Sequence, residues 1–123
     1  MNAPQALPDS PRAAYARALS AGFVVDAAQR RAVEALQQCF EAVQRDERPL
    51  GVYLWGPVGR GKTWLMDSFY NALRVPARRQ HFHHFMQWVH RRQFQLTGNA
   101  DPLRLLAEEL GREVRVLCFD ELF

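Results

Sequence analysis

An α/β fold built on a parallel sheet is what this sequence predicts, and three stretches predict it. Gly51-Val52-Tyr53-Leu54-Trp55 is a short apolar run with β-branched and aromatic members, as a buried strand would have. It feeds directly into Gly56-Pro57-Val58-Gly59-Arg60-Gly61-Lys62-Thr63, which fits the pattern G-x-x-x-x-G-K-[ST] at every fixed position. Val114-Arg115-Val116-Leu117-Cys118-Phe119 is a second, nearly continuous apolar run and ends in Asp120-Glu121. That composition suits a central parallel strand covered on both faces by helices.

The bulk properties limit the alternatives. At 123 residues, 48% hydrophobic and 24% charged, the chain has the composition of an ordinary soluble globular domain, or of a piece of one. No apolar run approaches the ~20 residues that a membrane-spanning helix needs. The start, Met1 to Asp9, lacks a basic segment followed by an apolar one, which argues against export and places the chain in the cytoplasm. Cys39 and Cys118 stand in apolar helical and strand contexts without a C-x-x-C partner, so reduced core thiols are expected. The net charge is only +3, yet Arg74, Arg78, Arg79, Arg91 and Arg92 concentrate in one zone. Solvated surface arginines explain that zone better than a nucleic-acid groove does, though the groove stays open as a minor reading.

Along the chain, residues 1–9 are expected to form a flexible arm, residues 10–48 a helical segment and residues 49–123 the first half of the α/β domain. Ser10 offers an N-cap with Pro11 at the first helical position, and a short helix bearing Tyr15 and Leu19 together runs to Gly22. Asp26 with Gln29 resembles a capping box, and Val33, Leu36, Phe40 and Val43 recur at helical spacing as far as Gln44. Arg45 to Pro49 reads as a charged surface connector. After the glycine-rich loop, Leu65, Met66, Phe69 and Leu73 share a helical face, and Pro76 stops the pattern. Arg74 to Arg78 reads as a basic turn and Gln80 to His83 as a short strand. Phe85, Met86, Val89 and Phe94 then suggest a helix, followed by a loop at Thr97-Gly98-Asn99. Asp101 caps the next helix, with Pro102 in its first turn, Leu103, Leu106 and Leu110 on one face, and Gly111 past its end.

The chemistry lies in the two motifs. Glycines let the backbone curl so that successive N–H groups face phosphate oxygens, and the following helix adds its positive end. Lys62 would reach the β- and γ-phosphates of a nucleotide, and the Thr63 hydroxyl would ligate Mg²⁺. At the carboxyl end of the second apolar run, Asp120 suits the Mg²⁺ shell and Glu121 suits polarising the attacking water. A glutamate directly after the magnesium aspartate favours ATP hydrolysis over a GTP switch. The predicted fold is therefore a three-layer P-loop NTPase of the AAA+ or RecA-like kind, with a parallel sheet incomplete at the C-terminus and helices before it. In that order a further strand, later in the chain, lies between the two motif strands, so an amino-terminal fragment is expected that does not hydrolyse ATP efficiently by itself. His81, His83, His84 and His90 form no obvious tetrahedral set, because strand and helix directions separate His84 and His90 from the other two, so structural histidines are expected rather than zinc.

Four blocks carry a resemblance: Tyr53 to Asp67, His81-Phe82-His83-His84-Phe85-Met86 with Val89-His90, Asp101-Pro102-Leu103, and Leu117-Cys118-Phe119-Asp120-Glu121. From about Phe23 onward the chain resembles the ZapE family of AAA+ ATPases, bacterial cell-division ATPases with mitochondrial relatives. The resemblance implies ATP and Mg²⁺ as ligands, and hydrolysis coupled to remodelling of a protein partner, in bacteria the division-ring protein FtsZ. It implies a cytoplasmic, membrane-peripheral setting at the division site and leaves a homo-oligomer open. It carries over Gly56, Pro57, Val58, Gly59, Arg60, Gly61, Lys62 and Thr63 as the nucleotide loop, with Lys62 catalytic as well. Asp120 carries over as the metal ligand and Glu121 as the water-activating residue. Pro57 stands where a second glycine is frequent, and Leu122 where the family often has Phe. A helicase-loader-like ATPase on DNA and a nucleotide-binding module without turnover are the alternatives.

Overall fold

A computed structural model describes residues 10–24, 26–54 and 61–120. The expected arm at residues 1–9, Trp55 of the first apolar run, Gly56 to Arg60 of the loop, and Glu121 and Leu122 lie outside the described residues. The chain divides into two compact units, Met1–Arg74 and Val75–Phe123.

The first unit packs three helices together: α1 (Pro11–Ser20), α2 (Ala27–Gln44) and α3 (Lys62–Ala72). Local side-chain chemistry starts the first two. Ser10 Oγ accepts from the Ala13 amide at 3.0 Å, and Asp26 Oδ1 accepts from the amides of Ala28 and Gln29 at 2.8 and 3.3 Å. On α2 the expected Val33, Leu36, Phe40 and Val43 are all buried, as the 3.6-residue period requires. On α1 the residue buried beside Tyr15 is Ala18 rather than Leu19, since a three-residue step continues the face that meets the neighbouring helices. On α3, Leu65, Phe69 and Ala72 are buried, whereas Met66 is half-buried and Leu73 follows the helix. Arg12 extends its guanidinium from α1 to Glu34 on α2, with Nε and Nη2 donating at 2.9 and 2.7 Å.

The apolar segment Gly51–Leu54 is not a strand. Leu50 is 92% exposed and Tyr53 52% exposed, and among the described residues the only ladder lies elsewhere. A parallel strand exists only by bonding to a neighbour, and none accompanies this segment among the described residues.

The second unit contains that ladder: β1 (Ala77–His81), α4 (Phe82–Gln95), α5 (Pro102–Glu113) and β2 (Val116–Asp120), with β1 and β2 parallel and the two helices between them in sequence. The expected strand at Gln80–His83 is displaced toward the N-terminus, and Ala77 and Arg78 belong to it rather than to a turn. Phe82 opens a helix instead. Its ring and that of Phe85, three residues on, both pack on Phe119, at centroid separations of 5.5 and 4.7 Å, a shared face that only helical spacing provides. Phe94, expected on the apolar face, is 81% exposed. Asp101 caps α5 by accepting from the Arg104 amide at 3.2 Å, and Leu106 and Leu110 are buried. Leu103 is 52% exposed, and the helix continues through Gly111 to Glu113, so that glycine is no terminator. β2 begins at Val116, two residues later than the apolar run suggests, and Cys118 is buried at its centre. Both cysteines are free thiols, and burial pushes the Cys39 thiol above its ordinary pKa.

The observed architecture is thus α/β with a small two-stranded parallel sheet and helices; the full three-layer arrangement is not seen among the described residues. No helix among them is long and apolar enough to cross a membrane.

Two outcomes follow for stability. Leu65→Ala, emptying a site only 4% exposed, should cost about 3 kcal/mol in urea denaturation, whereas Leu103→Ala should stay within about 0.5 kcal/mol. Hydrogen bonds from Arg92, on α4, hold the Glu109 carboxyl of α5 below the usual glutamate pKa, as those from Arg12 do for Glu34. A carboxyl depressed in the folded state stabilises above the ordinary glutamate pKa, and that contribution is lost as pH falls through the folded value. Acid titration of Glu109→Gln should show a shallower loss of stability in that window than the parent.

Candidate functional site

Each half of the motif pair is positioned by its own unit. In the first, Gly61 is the N-cap of α3 and adopts the left-handed conformation, φ +78°, which a residue with a Cβ enters at a cost. Its carbonyl accepts from the Leu65 amide at 3.0 Å, so the helix begins directly after the turn. Among the described residues no side chain caps this end, in contrast to α1, α2 and α5, which Ser10, Asp26 and Asp101 cap. The first-turn N–H groups and the helix dipole therefore favour an anion there. A Cβ on Gly61 would lie 2.8 Å from Nε2 of Gln29, in the first turn of α2, and would displace the end of that flexible side chain.

Lys62 and Thr63 are the first two residues of α3, half-buried and exposed respectively. Trp64 follows and fastens this end to the unit: its ring meets Tyr15 edge-on at 6.4 Å and Phe23 at 5.8 Å. The described start of α3 thus combines a left-handed glycine with an aromatic anchor.

In the second unit the ladder pairs Arg79 with Cys118, Gln80 with Phe119 and His81 with Asp120. Side chains alternate along a strand, so Arg79, His81, Cys118 and Asp120 share one sheet face, and Phe119 points to the other, where Phe82 and Phe85 cover it. Asp120 ends β2, its carboxylate 23% exposed. There it accepts from Arg79: Nε to Oδ2 at 3.1 Å and Nη2 to Oδ1 at 3.3 Å. The sequence reading missed Arg79. An arginine on the strand preceding the Asp-Glu pair is a signal only once the register is known.

Within the second unit, the Asp120 carboxylate is a hard oxygen donor of the type that Mg²⁺ prefers. The histidine block has a different geometry from the one expected. His84 lies beside both His81 and His83, with ring centroids at 5.7 and 5.9 Å, because Phe82 already begins the helix. Gln87 contacts the His83 ring at 3.2 Å. The arginine zone is largely consumed within the chain. Arg78 donates to Glu113 at 2.8 Å and stacks over Trp88 at 5.6 Å; Arg79 is held by Asp120, and Arg92 grips Glu109 at 2.6 and 2.9 Å. Less positive charge is left to meet a polyanion than the sequence alone suggests.

A family model described as AFG1-like ATPase matches residues 9–123. The chain is 53% identical over 74 residues to the cell division protein ZapE of Escherichia coli, covering 59% of this chain and 20% of that protein. It is 44% identical over 81 residues to an uncharacterised Schizosaccharomyces pombe protein, covering 60% of this chain and 18% of that one. With lactation elevated protein 1 homolog B of Danio rerio it shares 36% identity over 93 residues, 66% of this chain and 18% of that protein. The chain spans about a fifth of the length of the curated relatives it matches. No solved structure matches it.

The glycine geometry is directly testable. Gly61→Ala should lower stability by about 1–2 kcal/mol, the cost of left-handed backbone for a residue with a Cβ. Thermal denaturation without nucleotide measures this.

Proposed function

The chain belongs to the AFG1-like ATPase family of AAA+ proteins, and on that premise we propose that it supplies the nucleotide-binding half of an ATPase that couples ATP hydrolysis to remodelling of a protein partner. The observation that supports this reading most is the left-handed Gly61 opening α3, whose N-terminus no described side chain caps. In this reading residues 10–48 form a helical segment ahead of the ATPase domain, and Gly56 to Thr63 wrap the phosphates. The Lys62 ammonium holds the β- and γ-phosphates as a mobile point charge. The Thr63 hydroxyl and Asp120 carboxylate hold Mg²⁺, which when bound offsets charge on the phosphate oxygens. Glu121 orients the attacking water and takes its proton as the bond from the γ-phosphorus to the ADP oxygen breaks. The partner, by likeness to the cell-division relative, is a division-ring protein such as FtsZ, met in the cytoplasm at the division site. The pairing of Arg78, Arg79 and Arg92 with acids weighs against the DNA-bound alternative.

Binding of fluorescent methylanthraniloyl-ATP tests the reading. Lys62→Ala should weaken it by about tenfold or more, the loss of a charge-assisted contact. In a chain extended to the length of its relatives, Glu121→Gln should leave binding intact and reduce phosphate release by roughly a hundredfold. Binding by that longer chain without any phosphate release, on which Glu121→Gln has no further effect, would identify a nucleotide-binding module instead. Binding indifferent to Lys62→Ala would remove the nucleotide loop.

A further inference from the structure

The Asp120 carboxylate is engaged on both oxygens by one guanidinium, with Nε of Arg79 on Oδ2 and Nη2 on Oδ1. This is a fork-to-fork pair, the geometry in which arginine grips a carboxylate most firmly. Both side chains are 23% exposed, against 55% and 47% for Arg12 and Glu34, so solvent screens this pair less than the pair between α1 and α2. The register builds it in. Arg79 is paired with Cys118, and Asp120 stands two residues further on the same face.

We propose that Arg79 is a positioning residue that competes with the divalent cation for Asp120, and so sets the Mg²⁺ concentration at which nucleotide is held. The inference rests on the reading of Asp120 as a magnesium ligand. Mg²⁺ requires close, near-octahedral oxygen ligands. A guanidinium at hydrogen-bond distance from both oxygens of the same carboxylate occupies in-plane lone pairs and repels a dication approaching them. Ligation of Asp120 therefore exchanges one cation for another. The intramolecular cation holds the carboxylate in its rotamer beforehand and must release it when the ion enters. His81, paired with Asp120 on the same face, is the other titratable group beside the carboxylate on the adjoining strand. Removing the charge at position 79 relieves the competition. Lysine keeps the charge but loses the fork, and should relieve it in part.

The experiment measures methylanthraniloyl-ATP binding to the chain across a Mg²⁺ titration, for the parent, Arg79→Gln, Arg79→Lys, Asp120→Asn and the Arg79→Gln/Asp120→Asn double variant, each first checked for folding by thermal denaturation. In Arg79→Gln the Mg²⁺ concentration for half-maximal binding should fall about tenfold, with Arg79→Lys between it and the parent. Asp120→Asn should blunt the Mg²⁺ dependence, and in that background Arg79→Gln should have no further effect. If Arg79→Gln fails to fold, a lower midpoint in Arg79→Lys supports the competition and an unchanged or higher one overturns it. An unchanged or raised midpoint in folded Arg79→Gln, while Asp120→Asn still blunts the dependence, overturns the competition and leaves Asp120 as a ligand. Binding that shows no Mg²⁺ dependence in the parent, or keeps it unaltered in Asp120→Asn, overturns the ligand reading and the inference with it.

Discussion

The parallel ladder between β1 and β2 decides which side chains can meet in the second unit. Ala77-Arg78-Arg79-Gln80-His81 has little of the β-branched or aromatic character that strands favour, and forms one because each residue has a partner on β2. Alternation then assigns the faces. Phe119 receives Phe82 and Phe85, while Asp120 is turned to the opposite side with Arg79 and His81. A slip of one residue would put Arg79 on the aromatic face and strip Asp120 of its counter-ion. The histidine-phenylalanine block thus has a structural role: its two phenylalanines clamp α4 over the residue that immediately precedes Asp120.

What was legible in the sequence was what local chemistry decides. Ser10, Asp26 and Asp101 cap helices through bonds spanning two or three residues, and the buried stripe of α2 recurs every turn, so these elements could be read without a fold. Lys62 and Thr63 were legible as the start of a helix after a glycine turn, and Asp120 as the terminus of an apolar strand. What needed long-range partners was not legible. β1 carries no apolar alternation to announce it, and Gly51–Leu54 carries the composition of a strand without a neighbour to bond among the described residues. Phe94 and Leu103 fit the period of their helices yet remain in solvent, since periodicity names a face and only packing says what covers it. The Arg79–Asp120 pair joins residues 41 positions apart and follows from register alone.

Charge distribution shows the same division between composition and arrangement. A cluster of arginines in sequence suggests a positive field, but Glu109, Glu113 and Asp120 meet three of them at 2.6 to 3.1 Å. Paired charges contribute little to a long-range potential because their fields cancel within a few ångströms. The arginines of β1 and α4 hold neighbouring elements together instead, Arg78 linking β1 to α5 and Arg92 linking α4 to α5.

The left-handed backbone at Gly61, rather than the space around it, is what fixes the residue there. The end of the Gln29 side chain lies where a Cβ at 61 would be, but that end is flexible and can turn aside. A shorter residue at 29 would clear the contact and leave the backbone cost untouched. Across related sequences the glycine should therefore be stricter than the glutamine.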